Sequence, residues 1–318
     1  MVDFRHYSFS EQLKLPSIIE QLKPDLVHFL HFNAPIFYKG PYVVTIHDML
    51  MHRQRGLAAT TLNPIMYLIK RLGYKTVFDQ AAKRSLKVIV PSLSVKKELV
   101  EYFGLDPDKF VVTYQAVDED IKPSSGEKVM KKYSISQPYF IYNGNAYPHK
   151  NLNRAIEAMV QLNKVSDGQV LFVIASARNV FVERLKRQVK DLKAEKCVKL
   201  LGYVTDEELG GLYASSVGFL YPSISEGFGL QGLEAMKIGT LLLASEIPVF
   251  KEIYKDNAIY FNPLDFSSIE KAMEEALSVS DDERKRRTVV ARDFAASYSW
   301  SKMAKETLKV YEDSARLR

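Results

Sequence analysis

The chain has 318 residues, 47% of them apolar and 26% charged, with 44 Lys and Arg against 38 Asp and Glu. That length suits about two domains, and the composition is that of a globular protein rather than a disordered or fibrous one. No run of about 18 apolar residues is present to cross a bilayer as a helix, and the single cysteine, Cys197, excludes an internal disulfide.

In chain order, "SEQLKLPSIIEQLK" reads as a helix. Short apolar or β-branched runs follow at 26–30, 43–46, 87–90 and 110–113, then at 139–142, 170–175, 198–201, 217–221, 240–244 and 258–261. Most are nearly continuous, as strands covered on both faces require. Amphipathic patterns such as "NLNRAIEAMVQLNK" and "FVERLKRQVKDLKAE" fill the gaps. This alternation predicts a doubly wound α/β architecture with parallel sheets. The polar stretch from Asp118 to Pro138 marks a linker. We expect one Rossmann-like domain over 1–125, a second over 126–299, and a closing helix, 300–318, that joins the first. The first domain reads as N-terminally short, because a helix before Leu26 should follow an earlier strand.

The opening "MVDFRHYSFSEQ" lacks the apolar core of a signal peptide, so the expected location is the cytoplasm. A formal net charge of +6 leaves open nucleic acid, an anionic membrane surface or phosphorylated substrates as partners. The clusters "IKRLGYK" (69–75) and "ERKRR" (283–287) read as solvated helix faces or as anchors for such a partner. Residues 62–84 mix an apolar stripe with basic side chains, as an interfacial helix would, or a core-packed one.

His28, His31, His47 and His52 lie close together in sequence, with Asp48 beside them. A metal site is one reading. However, His28 and His31 are three apart on a predicted strand and so face opposite sides, and no pair has helical His-x3-His spacing. We expect no metal. His47 ends a predicted strand, where ligands of α/β proteins bind. A core or capping histidine is the alternative.

"VGFLYPSISEGFGLQGLEAMKIG" carries the most chemistry. It reads strand, loop, helix, with the helix starting near Gly229 or Leu230. Glu226 therefore lies at the carboxyl edge of a sheet. Gly227 and Gly229 permit close backbone approach, and helix N-terminal N–H groups there suit a phosphate. Glu234, about one turn into the helix, can accept from hydroxyls over the helix end. A carboxylate beside an anion site makes sense when it faces neutral hydroxyls. The ligand so described has a diphosphate between hydroxyl-rich ends, which is a nucleotide sugar. A glycine turn with solvated glutamates is the other reading.

The Glu-x7-Glu spacing with "EGFGL" and "EAM" resembles retaining glycosyltransferases of family 4, and "GNAYPHKNL" resembles their bacterial polysaccharide mannosyltransferases. "VTIHDM", "VIVPSLSVKKEL" and "IYNGNAYPHKNL" resemble further family segments in the family's order. The resemblance implies the GT-B fold, two Rossmann-like domains facing a cleft. It implies that Glu226 binds the donor sugar, Glu234 the ribose, and Gly227, Phe228, Gly229 and Leu230 the diphosphate or sugar. Lys150 would hold the diphosphate, and a lysine after a strand and the Gly144 turn suits phosphate on its own chemistry. Gly144 and Asn145 would line the same site, Asn145 standing where many members have arginine. Tyr203 and Val204 would contact the base, or simply pack a strand end. His47, Glu226 and Lys150 would be the catalytic set.

The expected activity is transfer of a sugar, mannose from GDP-mannose first, to a saccharide or lipid-linked acceptor. No cofactor is expected beyond that co-substrate, and no divalent cation, since no Asp-x-Asp segment ends a strand where it could hold a metal on a diphosphate; that at 118–120 falls at the linker edge. A place at the inner face of a membrane follows from such an acceptor. The alternatives are a non-catalytic or truncated donor-binding subunit and, on charge alone, a nucleic-acid binder; no nucleic acid is expected.

Overall fold

The structure, a computed structural model, describes residues 8–53, 63–117, 121–165, 169–177 and 180–316. It divides into two compact units, Met1–Gln115 with Trp300–Arg318, and Ala116–Ser299.

The first unit contains α1 (Phe9–Leu22), β1 (Val27–Phe29), β2 (Tyr42–Thr45), α2 (Leu50–Arg53), α3 (Pro64–Arg84), β3 (Val88–Val90), α4 (Leu93–Phe103) and β4 (Phe110–Val112). The four strands form a parallel sheet in the order β1-β2-β3-β4. Side chains alternate across it. Val44, Val88 and Val90 face a large core with Phe78, Ala82 and Leu99 from the helices. Val43 and Ile89 face Val310 of the C-terminal helix Trp300–Arg316. That helix is clasped by His28, whose Nδ1 lies 2.6 Å from the Tyr311 hydroxyl and whose Nε2 lies 2.8 Å from Thr45 Oγ1.

The second unit runs α5 (Gly126–Lys132), β5 (Tyr139–Asn143), α6 (Leu152–Val165), β6 (Leu171–Ala175), α7 (Val180–Asp191), β7 (Val198–Gly202), α8 (Asp206–Ser215), β8 (Gly218–Tyr221), α9 (Leu230–Ile238), β9 (Leu242–Ser245), α10 (Pro248–Tyr254), β10 (Ile259–Phe261), α11 (Phe266–Ser278) and α12 (Asp281–Ala295). The C-terminal helix of the first unit is thus α13. All six strands are parallel, in the order β10-β9-β8-β5-β6-β7. This is the doubly wound order, and the direction of winding reverses between β5 and β8.

The break between units falls at Gln115–Ala116, ahead of the expected boundary at 125–126. The polar stretch is not a free linker after Ile121. Ile121 is buried, Ser124 Oγ donates to the Glu207 carbonyl at 2.6 Å, and the Tyr133 hydroxyl donates to Glu208 Oε2 at 3.0 Å. Its polarity is that of a short surface helix, α5, packed on α8. Asp118–Asp120 lie outside the described residues.

The "ERKRR" cluster serves the fold. Arg284 donates to the carbonyls of Val217 and Ala276, while Arg286 and Arg287 both pair with Glu283. Those two arginines hold the Glu283 carboxyl down at about 2.

Candidate functional site

The reversal between β5 and β8 opens a crevice at the strands' carboxyl ends, where open α/β sheets take ligands. Both flanking loops carry charge into it. After β5 the chain turns at Gly144, with φ +136°, its N–H bonded to the Ala175 carbonyl at 3.1 Å. The Tyr142 hydroxyl donates to the Asn145 carbonyl at 2.8 Å, which fixes the turn and leaves the Asn145 side chain exposed. One turn of 3-10 helix, Pro148–Lys150, then brings Lys150 under cover at the start of α6.

After β8 the chain passes buried Ser223 to Glu226 and the glycine turn. Gly229 caps α9 with φ +101°, and a Cβ there would lie 2.2 Å from the Tyr254 hydroxyl oxygen. Only glycine suits this position, on conformation and on space. The Tyr254 hydroxyl donates to the Gly229 carbonyl at 2.5 Å and holds the turn from which α9 starts. Leu230 is the first helical residue, and Glu234 lies just over one turn further, half-buried.

The two loops meet. Lys150 Nζ lies 2.5 Å from Glu226 Oε1, and the side chains are each only 10% exposed. Lys150 also stands 5.5 Å from the centre of the Tyr221 ring. Burial, then the negative charge of Glu226, pushes the Tyr221 and Tyr254 phenols well above their ordinary range, so both act as donors. Tyr221 donates to Gln231 Oε1 at 2.7 Å.

Lys150, Glu226, Gly144, Asn145, Gly227, Gly229, Leu230 and Glu234 therefore gather around the ends of β5 and β8. Phe228 shares the turn, but its side chain is buried with its ring 5.8 Å from that of Tyr298, so only its backbone faces a ligand. Tyr203 and Val204 follow β7, two strands from β5, about 10 Å at the usual strand spacing. Tyr203 is exposed and Val204 buried, so the two readings of this pair divide between its members.

His47 belongs to the first unit, beyond the end of β2. Its Nε2 donates to the Leu30 carbonyl at 3.1 Å, so in the neutral ring Nδ1 is an acceptor, 3.5 Å from Gln115 Nε2. The His31 ring lies 6.3 Å from that of His47. His28 clasps α13, His31 lies past β1 rather than on it, and His52 sits between the Tyr74 and Tyr102 hydroxyls. Among the described residues no group of three or more His, Cys, Asp or Glu could hold a metal ion.

Sequence reading missed two residues here. Asn151, at φ +56°, sends Nδ2 to the Pro222 carbonyl at 3.0 Å and the Pro263 carbonyl at 2.7 Å. Asparagine is among the few residues that accept this backbone, and its place after Lys150 was the available signal. His149 is buried with no partner at Nδ1, and burial followed by the Lys150 charge pushes the ring down to about 4.

The two parallel-sheet units together have the GT-B glycosyltransferase fold. WaaG, a glycosyltransferase involved in lipopolysaccharide biosynthesis, superposes with a TM-score of 0.75 at 16% identity over 96% of this chain and 84% of its own. Anabaena HepE in complex with UDP and glucose gives 0.75 at 17% identity, over 98% and 83%. The family described as "Glycosyl transferases group 1" matches residues 127–292, and "Glycosyltransferase Family 4" matches 2–121. The chain belongs to this glycosyltransferase family. It is 28% identical to the O-antigen chain mannosyltransferase RfbU of Salmonella typhimurium over 289 residues, 90% of this chain and 74% of that one.

Proposed function

We propose that this glycosyltransferase moves mannose from GDP-mannose to a lipid-linked saccharide, with retention at the anomeric carbon. The observation that carries the donor reading is the buried Lys150–Glu226 pair beside the α9 start. A diphosphate placed there meets the Lys150 ammonium and the positive end of a helix. Glu226, freed from Lys150, accepts from sugar hydroxyls. Glu234 accepts from the ribose, and the exposed Tyr203 contacts the base.

The anomeric carbon loses its bond to a phosphate oxygen and gains one to the acceptor oxygen, whose proton leaves. Charge grows on the departing diphosphate, and fixed positive groups aimed at it lower the barrier. Lys150 and α9 supply those groups, so no divalent cation is required. Glu226 is not cast as a nucleophile, because Glu234 lies further along the helix and the two do not flank one bond. In the first unit, His47 is the candidate for handling the acceptor's proton. The mannose choice leans on the likeness to RfbU; HepE, bound to UDP and glucose, keeps UDP-glucose as the rival donor. A lipid-linked acceptor puts the enzyme at the inner face of a membrane, as a peripheral protein.

Calorimetry with GDP and UDP, followed by transfer from GDP-mannose and NMR of the product anomer, tests this. Tighter GDP binding and an α-linked product are expected. Transfer that stops in chelator and returns only with Mg²⁺ or Mn²⁺ sinks the metal-free reading. Donor binding without transfer to any saccharide or lipid-linked acceptor reassigns the chain as a donor-binding subunit.

A further inference from the structure

The second unit holds a cavity of about 360 Å³ away from the crevice. Leu242 and Ile259, the first residues of β9 and β10, line it, and α12 supplies much of the rest. β8, β9 and β10 are parallel, and Glu226 follows the carboxyl end of β8. The cavity, at the amino ends, therefore lies at the opposite edge of the sheet. Its volume is that of a site for a small organic ligand.

The polar lining mixes donors with acceptors. On α12, Glu283 takes Nε and Nη2 of Arg286 and Nε of Arg287, while Arg287 Nη1 goes to Glu275. Each guanidinium thus keeps one NH2 group to donate from. Before β10, Asp256 presents an exposed carboxylate. Asn257 donates from Nδ2 to the Tyr254 carbonyl at 3.1 Å and keeps Oδ1 as an acceptor. The charges of Arg286 and Arg287 are matched by those of Asp256 and Glu283, and Val290 adds apolar surface. A phosphate would meet two carboxylates here. A nucleobase would find no aromatic ring among the described lining residues. The lining suits a neutral ligand with apolar C–H faces whose polar groups both donate and accept, and a sugar hydroxyl does both.

We propose that this cavity is a second saccharide site, which grips the glycan away from its reacting end. The claim rests on the reading of a saccharide acceptor, and on no choice of donor. A glycan held at two points rebinds at one before it leaves the other, so long chains are retained over short ones.

The test is an NMR titration of the 318-residue chain, without nucleotide, with mannotetraose and with maltotetraose. At least one should bind. Asp256→Ala with Arg286→Ala should lower its affinity about tenfold or more. Val290→Trp, at a position 53% exposed, should do the same by narrowing the cavity without removing a hydrogen bond. The substituted side chains are exposed and outside the crevice, so melting temperature and GDP affinity should stay close to wild type. Saccharide binding needs no transfer, so failure of the GDP-mannose reading would leave this result standing. If neither tetrasaccharide binds, or if both variants bind as tightly as wild type, the proposal is overturned. Glutamate or inorganic phosphate binding in place of the saccharides, and lost in the same variants, overturns it too.

Discussion

Lys150 and Glu226 occupy one another: Nζ and Oε1 are 2.5 Å apart, and neither side chain is more than 10% exposed. Each is also the group proposed for a different part of the donor. On the proposed reading, entry of a nucleotide sugar exchanges this internal ion pair for one external ion pair and a set of hydrogen bonds. The phosphate takes the ammonium, and the hexose hydroxyls take the carboxylate.

Removing one partner leaves the other charged and buried. Lys150→Ala should destabilise the second unit by about 3–5 kcal/mol, as should Glu226→Ala. Lys150→Met with Glu226→Leu should return close to wild-type stability while binding no nucleotide. Thermal melts of the three variants check this. A double variant as unstable as the singles would show that the pair does not act as a unit.

Glu234→Ala should weaken GDP binding by roughly 1.5–3 kcal/mol, the loss of hydrogen bonds from ribose hydroxyls to a charged acceptor. The fold should hold, since Glu234 is half-buried at the helix surface. Calorimetry against GDP and against inorganic diphosphate separates the roles. The diphosphate alone should bind the variant and wild type equally.

Tyr254 is a prop for the glycine turn. Tyr254→Phe keeps the ring and loses the bond to the Gly229 carbonyl, so stability should fall by about 0.5–1.5 kcal/mol and donor affinity with it. A Cβ at Gly232 would lie 2.4 Å from the same hydroxyl oxygen. Gly232→Ala should therefore cost about 1–3 kcal/mol through overpacking. Denaturant midpoints for both variants, with donor KM beside them, decide the matter. A Tyr254→Phe enzyme with unchanged KM would leave the tyrosine a purely structural role.

His149 makes the second unit acid-sensitive. The unfolded ring takes a proton near 6.5, and the folded ring only at about 4. Between those values protons favour the unfolded chain. The contribution is fully present above pH 6.5 and is lost as pH falls to about 4, up to about 3 kcal/mol. His149→Gln should flatten the fall in melting temperature over that window. Parallel slopes for the variant and wild type would rule the histidine out as its source.

The ten strands among the described residues were legible in sequence as apolar runs, the pattern that parallel strands buried on both faces, such as β2, β3, β6, β8 and β9, require. The α9 start was legible because few backbones other than a capped helix need glycines so placed before an apolar stretch. Tertiary partners were not. Nothing near Tyr254 announces that its hydroxyl reaches Gly229, 25 positions back. The core-packed reading of residues 62–84 describes the end of α3, where Phe78, Ala81 and Ala82 are buried, while its start is exposed, and composition averages over the change. The polar run after Ile121 reads as a linker because a short helix lying on the surface of α8 has the same composition as one.

Asn151 ties the loop after β5 to those after β8 and β10, and the second tie spans 112 positions of chain. β10 is the last strand of its unit and the edge of its sheet. During synthesis, the lysine-bearing loop emerges long before the strand it is fastened to. The crevice is then a late product of folding, closed only when the whole sheet is in register. On the proposed reading, nucleotide sugar captures only finished molecules, so donor added to a refolding chain should raise its native share.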